Sequence, residues 1–457
     1  MKLVAYFNKF LNDTVNIDST RLGYLDQRVD SITEALKTSS ALDGRVLDTI
    51  PQGSWAHRTI IRPPTGLEFD ADFLVHLSED TDWNDNPRRY ANAIWNALSG
   101  HSTYGSMAKK KDRCSRVIYA NDCHIDIVTY VILSDGREVI VNSKCNEFED
   151  TNPIGFSEWI QEKDSLTKGN LRKVLRLLKH LRDHQDSFNL KSVLLTTLVG
   201  NIVDGWRTAG DDYYKDVPTT LLHLVGDLNK WLGYQAGKPY IVDPSCPTTS
   251  FDHRWTESEF ESFRDKFNEI AIKVHDAYHV STVKESIEYW REVFGNSFPD
   301  SATTSTTASA GTALPRPSTL KSSRDRRAPK EQFIEEMFPV SEIFSLRIDC
   351  EVSEPAHINR RERRQLRARA GHVPKQHSLR FYMVETSVPK PFDMYWKVRN
   401  YGTEAEARHQ LRGEIIKDSG SLTRTESTSY AGHHYVECYI VKDGVCVARA
   451  NQPVIIN

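Results

Sequence analysis

Long apolar runs are missing from these 457 residues, and nothing approaches the roughly 20 apolar residues that cross a bilayer. That absence argues against a helical channel or transporter. The start, Met1-Lys2-Leu3-Val4-Ala5-Tyr6-Phe7-Asn8-Lys9, lacks an apolar core long enough for a signal peptide. A soluble, cytoplasmic chain with no membrane partner is expected. Cysteine is scarce and unpatterned: seven residues at 114, 123, 145, 246, 350, 438 and 446, an odd number with no C-x-x-C pair. A disulfide framework and a zinc site are both disfavoured. Excess charge of one sign is missing too. With 59 Lys and Arg against 62 Asp and Glu, the net charge is -3, so any nucleic-acid contact must be a local patch.

What is present is a pattern of acids. Gly53-Ser54-Trp55-Ala56-His57-Arg58-Thr59 precedes Glu68-Phe69-Asp70-Ala71-Asp72-Phe73-Leu74-Val75, and His124-Ile125-Asp126-Ile127-Val128 follows later. Residues i and i+2 of a strand point to one face, so Asp70 and Asp72 can share metal ions. A neighbouring strand can bring Asp126 to the same place. A carboxylate flanked by Ile125 and Ile127 is costly to bury without a cation. Hard oxygen donors in that number suit Mg²⁺, which also binds substrate phosphates. A glycine lets backbone amides approach a triphosphate, and the adjacent serine adds a donor. The bland alternative is a pair of surface acids on an edge strand with Asp126 unrelated, and the upstream Gly53-Ser54 weighs against it.

The rest of the chain divides by composition. Leu22, Leu25, Val29, Ile32 and Leu36 recur at helical steps. Val46–Ile50, Arg116–Tyr119, Cys123–Leu133 and Glu138–Val141 read as strands, with a turn at Asp135-Gly136-Arg137, and Pro87–Leu98 reads as a helix. Residues 1–150 thus form a catalytic lobe of helix plus mixed sheet. Residues 151–297 are mostly helical: 170–184, 190–203, 219–232, 260–278 and 283–294 carry apolar stripes. Residues 298–330 include the low-complexity run Ser301–Gly311 and form a disordered linker. Residues 331–457 alternate in the manner of strands at 344–350, 379–386, 394–399, 411–416, 435–441, 445–448 and 454–456. Lys442-Asp443-Gly444-Val445 marks a hairpin, and a β-sandwich is expected there. The fold class is α+β.

Gly53-Ser54, Asp70-x-Asp72 and Asp126 resemble the polymerase-β-like nucleotidyltransferases. More narrowly, Gly53–Thr59 through Asp70-Ala71-Asp72 is similar to the cGAS/DncV-like nucleotidyltransferases of the SMODS type found in CBASS antiphage systems. That resemblance covers residues 1–297 and implies a nucleotidyltransferase lobe followed by a helical lobe like that of oligoadenylate synthases. Tyr395-Trp396-Lys397-Val398-Arg399-Asn400, Leu411-Arg412-Gly413 and Gly432–Tyr439 resemble the AGS-C putative sensor domain. The resemblance implies two Mg²⁺ ions, with Mn²⁺ able to substitute, held by Asp70, Asp72 and Asp126. It implies that Ser54 holds the β- and γ-phosphates of a donor NTP and that Lys179 and Ser192 also contact the triphosphate. The reaction implied is attack of a ribose hydroxyl on an α-phosphate with loss of pyrophosphate. The product is a cyclic or linear oligonucleotide second messenger, read by a separate effector protein.

Other residues invite two readings each. Arg172, Arg176 and Lys179 lie at i, i+4 and i+7 opposite the leucine stripe, either a solvated helix face or a phosphate-facing one. Asp243, in Ile241-Val242-Asp243-Pro244 near Phe251 and Trp255, is as suited to fixing a turn as to function. His57 and His124 neighbour catalytic positions and are given no role. Lys109-Lys110-Lys111 reads as a solvated loop. The helical insert 359–370 carries six arginines and suits a nucleotide or nucleic-acid ligand at the C-terminal domain; an exposed helix is the alternative. Tyr395 and Trp396 read as sandwich-core aromatics. Two rival functions remain: a nucleotidyltransferase that modifies RNA or protein, and a non-catalytic nucleotide-binding sensor.

Overall fold

The computed structural model describes residues 2–301 except 65, 121, 186–187 and 204–211, and beyond them 332, 334–339, 344, 346–353, 364–365, 372–400 and 403–456. The segment 302–331, most of the expected linker, lies outside the described residues, as do 360–363 and 366–369 of the arginine insert. Phe298, at the linker's expected start, is buried among core aromatics. The chain divides into two compact units, one within residues 1–308 and one within 324–457.

The first unit opens with helix α1 (Val4–Phe10), which widens into a π turn at Leu11–Val15. Helix α2 (Ser19–Thr38) is capped by Asp18, whose carboxylate accepts the Arg21 N–H at 2.9 Å. Then come β1 (Val46–Gln52), α3 (Gly53–Ala56), β2 (Phe69–Leu77), α4 (Thr81–Asn84), α5 (Arg88–Ser99), β3 (Ala108–Lys110), β4 (Cys114–Tyr119), β5 (Cys123–Ile132), β6 (Glu138–Asn142) and β7 (Glu147–Asp150). The sheet order is β1-β2-β5-β4-β3, with β6 on β5 and β7 on β6. Strands β2 and β5 run parallel; the other pairs are antiparallel. The apolar stripes of α2 and α5 cover one face, over Phe73, Val75, Ile125 and Ile127. Lys109 and Lys110, expected in a loop, sit on the three-residue edge strand β3 with exposed side chains. Short, lysine-bearing edges resist pairing with other chains.

The helices follow as α6 (Pro153–Leu166), α7 (Leu171–Gln185), α8 (Ser192–Ile202), α9 (Val217–Gly233), α10 (Glu257–His279) and α11 (Val283–Phe294), with a small hairpin of β8 (Val242–Asp243) and β9 (Cys246–Ser250) before α10. Leu171, Val174, Leu175, Leu178 and Leu181 of α7 enter their common core. So do Phe7 and Phe10 of α1: the Phe7 ring meets Trp290 edge-on at 4.8 Å. The chain's first helix therefore belongs to the helical lobe, although the sheet intervenes in sequence.

The second unit comprises β10 (Leu346–Ser353), β11 (Arg364–Gln365), β12 (His372–Val373), β13 (Ser378–Thr386), β14 (Asp393–Arg399), β15 (Arg412–Lys417), β16 (Thr423–Ser427), β17 (Gly432–Lys442) and β18 (Val445–Ile456). Two sheets form, β11-β10-β13-β16 and β12-β18-β17-β14-β15. Their inner faces contribute Phe381, Trp396, Val398, Val436 and Ile440 to one core. The expected hairpin at Asp443-Gly444 has both residues at positive φ, 52° and 77°, as a type I′ turn requires. Strand β18 is continuous where two short runs were expected, because the long β17 pairs with it throughout. Within the arginine insert, Arg364–Gln365 pairs with β10 as a strand rather than continuing a helix.

Candidate active site

The parallel pairing of β2 with β5 sets Asp72 directly beside Asp126, and Asp70 beside His124. Asp70 and Asp72 line a cavity of about 610 Å³ between the sheet and the helices. Burial pushes the Asp72 carboxyl up to about 7, and the negative charges of Asp70 and Asp126 push in the same direction. Arg116 and Lys179 pull weakly the other way.

Asp126 is differently engaged. Arg116, its cross-strand neighbour on β4, donates Nε to one carboxylate oxygen at 2.6 Å and Nη2 to the other at 2.7 Å. This fork pairing occupies both oxygens. Among the described residues, no three histidine, cysteine or acidic side chains form a ready-made metal cluster. The donor set nonetheless fits a hard divalent cation: three carboxylates on adjacent strands, one of them resisting ionisation beside the others.

The Gly53-Ser54 turn closes over this acidic edge. Gly53 has φ +66°, and a Cβ there would come 2.6 Å from Asp72 Oδ2. Only glycine lets the backbone approach the carboxylate so closely. Ser54 lines the cavity at the first turn of α3. The Thr59 N–H donates to the Ser54 carbonyl at 2.8 Å, which folds the segment back on itself.

The helical side contributes Lys179, Arg182, Asp183, Ser192 and Thr196 to the cavity wall. Lys179 Nζ donates to the Thr59 hydroxyl at 2.9 Å and its carbonyl at 3.1 Å. Burial lowers the Lys179 ammonium to about 7, with Arg182 adding repulsion. Ser192 begins α8, and its hydroxyl accepts from Arg182 Nη1 at 3.0 Å. Arg182 continues the Arg172, Arg176, Lys179 row by a further step of three, a spacing that marks it in the sequence as a residue of the same face. His57 stacks on Phe156 with ring centroids 5.0 Å apart, and burial holds it neutral by lowering its imidazole to about 3. His124 Nδ1 is 3.6 Å from a Glu68 oxygen.

Arg172 and Arg176 do not form a solvated face. Both are buried, and both donate to backbone carbonyls of the sheet lobe: Arg172 Nε to His57 at 2.8 Å and Arg176 Nη1 to Arg58 at 2.9 Å. Helix α7 is sandwiched, with the leucine stripe in the helical core and the cations against the catalytic turn. Asp243 is likewise a turn-former: its Oδ1 accepts from the Ser245 N–H and hydroxyl. Trp396 is in the sandwich core, and its indole N–H reaches Asp418 at 3.1 Å.

Residues 1–164 match the family of Second Messenger Oligonucleotide or Dinucleotide Synthetase (SMODS) domains. Residues 328–457 match the Adenylyl/Guanylyl and SMODS C-terminal sensor domain, AGS_C. A cyclic AMP-AMP-AMP synthase of an Acinetobacter strain is 24% identical over 288 residues, 62% of this chain and 82% of that protein. A c-di-GMP synthase of Roseivirga ehrenbergii is 21% identical, again over 62% of this chain and 82% of the relative. The solved structure of E. coli MS115-1 CdnC with ATP superposes with a TM-score of 0.51 at 18% identity, covering 65% of this chain and 98% of CdnC. At that identity the likeness is one of fold. Among the described residues, no helix is long and apolar enough to cross a membrane.

Proposed function

We propose that this chain, whose residues 1–164 match the SMODS family and whose residues 328–457 match the AGS_C sensor family, is a nucleotidyltransferase that joins NTPs into a cyclic oligonucleotide at the cavity between β2 and α7. The observation that carries the reading is the parallel register that sets Asp72 beside Asp126, with burial and neighbouring carboxylates forcing the Asp72 carboxyl up to about 7. A carboxylate so placed invites a cation. The family typically uses divalent metals, and Mg²⁺ suits the all-oxygen donor set, with Mn²⁺ able to substitute. Two such ions would neutralise charge on the entering and leaving oxygens of an in-line displacement.

The chain's own residues supply the rest. Asp70, Asp72 and Asp126 are the metal-holding and catalytic carboxylates. Backbone amides of the Gly53-Ser54 turn and the Ser54 hydroxyl face the donor's β- and γ-phosphates. Lys179 and Ser192 hold the same triphosphate from the helical wall, with Lys179 turning from Thr59 to phosphate. Arg116 keeps the charge of Asp126 compensated while no nucleotide is bound. Exclusion of water by Phe156, Ile60 and Ile61 strengthens each of these contacts.

The catalytic lobe is assigned to 1–150 apart from α1, which packs into the helical core, the helical lobe to 151–297 with Phe298 added to its core, the linker to the residues from there to 330, and the sensor to 331–457. An effector protein that reads the product, a nucleotide or nucleic-acid ligand for the sensor domain, and a cytoplasmic, antiphage setting complete the proposal. Mass spectrometry of products from the full chain with an NTP mixture and Mg²⁺ tests it. Phosphatase-resistant oligonucleotides that vanish in Asp72→Asn support the reading. Label transferred to added RNA or to protein supports the rival nucleotidyltransferase instead, and no incorporation even with candidate activators present supports the non-catalytic nucleotide-binding sensor.

A further inference from the structure

Four long cationic side chains follow one another along α7 at steps of four, three and three: Arg172, Arg176, Lys179 and Arg182. Such steps keep side chains on one helical face. Their targets also follow in order. Arg172 takes the carbonyl of residue 57, Arg176 that of 58 and Lys179 that of 59. Arg182 takes the carbonyl of Leu190 at 2.8 Å and the hydroxyl of Ser192. One end of the row grips residues 57–59, which follow the Gly53-Ser54 turn and α3; the other grips the start of α8.

Burying three of these cations, Arg172, Arg176 and Lys179, is costly unless each finds acceptors. Arg172 pairs with Asp164 at 2.9 Å, and Arg182 pairs with Asp183. Arg176 and Lys179 donate to the carbonyl oxygens of Arg58 and Thr59. A carbonyl attracts a cation and so fixes the position of both groups. Arg58 adopts φ +57°, a left-handed conformation that is strained for a non-glycine residue. Its carbonyl is the one that Arg176 holds, so the guanidinium secures a backbone geometry that the chain would otherwise leave.

We propose that α7 is a spacer that sets the separation between the Gly53-Ser54 turn and Ser192, the two walls expected to receive one triphosphate, and that Arg176 is a positioning residue for nucleotidyl transfer. Arg176 is not among the residues that line the cavity; it acts through the Arg58 carbonyl on the segment that follows the turn. The claim about transfer rests on the synthase reading above, whereas the claim about the turn does not.

The test uses the full chain with Arg176→Met and Arg176→Lys. Amide exchange across residues 53–59, read by mass spectrometry, should speed up at least about 10-fold in Arg176→Met, while α10 and α11 exchange as in the wild type. Turnover per folded molecule should fall by about 10²-fold, the order expected for an ångström-scale misplacement. The NTP KM should move less than about 3-fold, and Arg176→Lys should recover part of kcat because it retains a donor. Should Arg176→Met fail to fold, Arg176→Lys carries both readouts with smaller changes. Unchanged exchange at 53–59 overturns the spacer. Faster exchange with wild-type kcat overturns the positioning role, as does a kcat loss that matches the unfolded fraction. A wild-type chain with no turnover refutes the synthase reading, and the exchange rates then decide the spacer on their own.

Discussion

Two rows of charge meet at the cavity, and they are built on opposite plans. The acidic row on β2 and β5 is left incomplete by the protein. Asp70 is exposed, Asp72 is half-buried and pushed toward protonation by burial and then by its acidic neighbours, and Asp126 borrows an arginine. The basic row on α7 is held by the protein's own backbone. Arg172, Arg176 and Lys179 are buried, and each has a carbonyl within hydrogen-bond distance. The difference separates the group that reacts from the frame that holds it. Charges that a fold satisfies internally serve geometry, and charges that it leaves unsatisfied await something from solution.

The comparison is broken most directly at Asp72. Asp72→Asn should lower turnover by at least about 10³-fold, because the lost charge acts in the transition state, while the midpoint of thermal unfolding stays level or rises. A variant that loses its fold along with its activity would place Asp72 in the frame instead. Gly53→Ala ranks next. The added methyl meets Asp72 Oδ2 at 2.6 Å, and φ is +66°, so a turnover loss of about 10²-fold and a stability loss of about 1–3 kcal/mol are expected from assay and calorimetry.

Lys179 sits at the boundary between the two plans. Lys179→Met should raise the NTP KM by about 10-fold or more. Because burial lowers its ammonium to about 7, the unliganded protein at pH 8 holds it largely neutral. A triphosphate favours the charged form, so NTP binding at pH 8 should take up protons. Titration calorimetry in buffers of different ionisation enthalpy reads this; heats that do not vary with the buffer would contradict it. Ser192→Ala, which removes one neutral donor, should change KM by only a few-fold.

The acidic row also makes a pH prediction. The folded Asp72 carboxyl, at about 7, lies above its ordinary value of 3.8. The group's stability contribution is therefore present in full below about 3.8 and is lost as the pH rises through about 7. Divalent cations reverse that loss by binding the ionised form. Mg²⁺ should thus raise the unfolding midpoint more at pH 8 than at pH 5, and Asp72→Asn should abolish the difference. Equal shifts at both pH values would argue that the cation binds elsewhere.

The acidic plan was legible in the chain and the basic plan was not. Asp70-x-Asp72 and Asp126 announce themselves because ionisable residues in apolar strands are rare and two-residue periodicity gives their facing. The same holds for the Asp443-Gly444 hairpin, whose backbone demand is local. Arg172 and Arg176 have the spacing of a solvated helix face, since periodicity reports which residues share a side but not what lies against it. The membership of α1 in the helical core was equally hidden, because Phe7 and Trp290 are remote in sequence. Lys109 and Lys110 read as loop because three residues are too few to show alternation.

By itself the order of residues determined which carboxylates can share a strand face, where glycine must stand and where the apolar stripes run, since each of these follows from bond geometry over a few neighbouring residues. Tertiary structure alone decided that β2 and β5 lie parallel with Asp72 beside Asp126, that Arg116 holds Asp126, and that α7 turns its cations onto the catalytic segment. Those outcomes depend on which surfaces exclude water from one another, and burial between distant segments is a property of the packed whole.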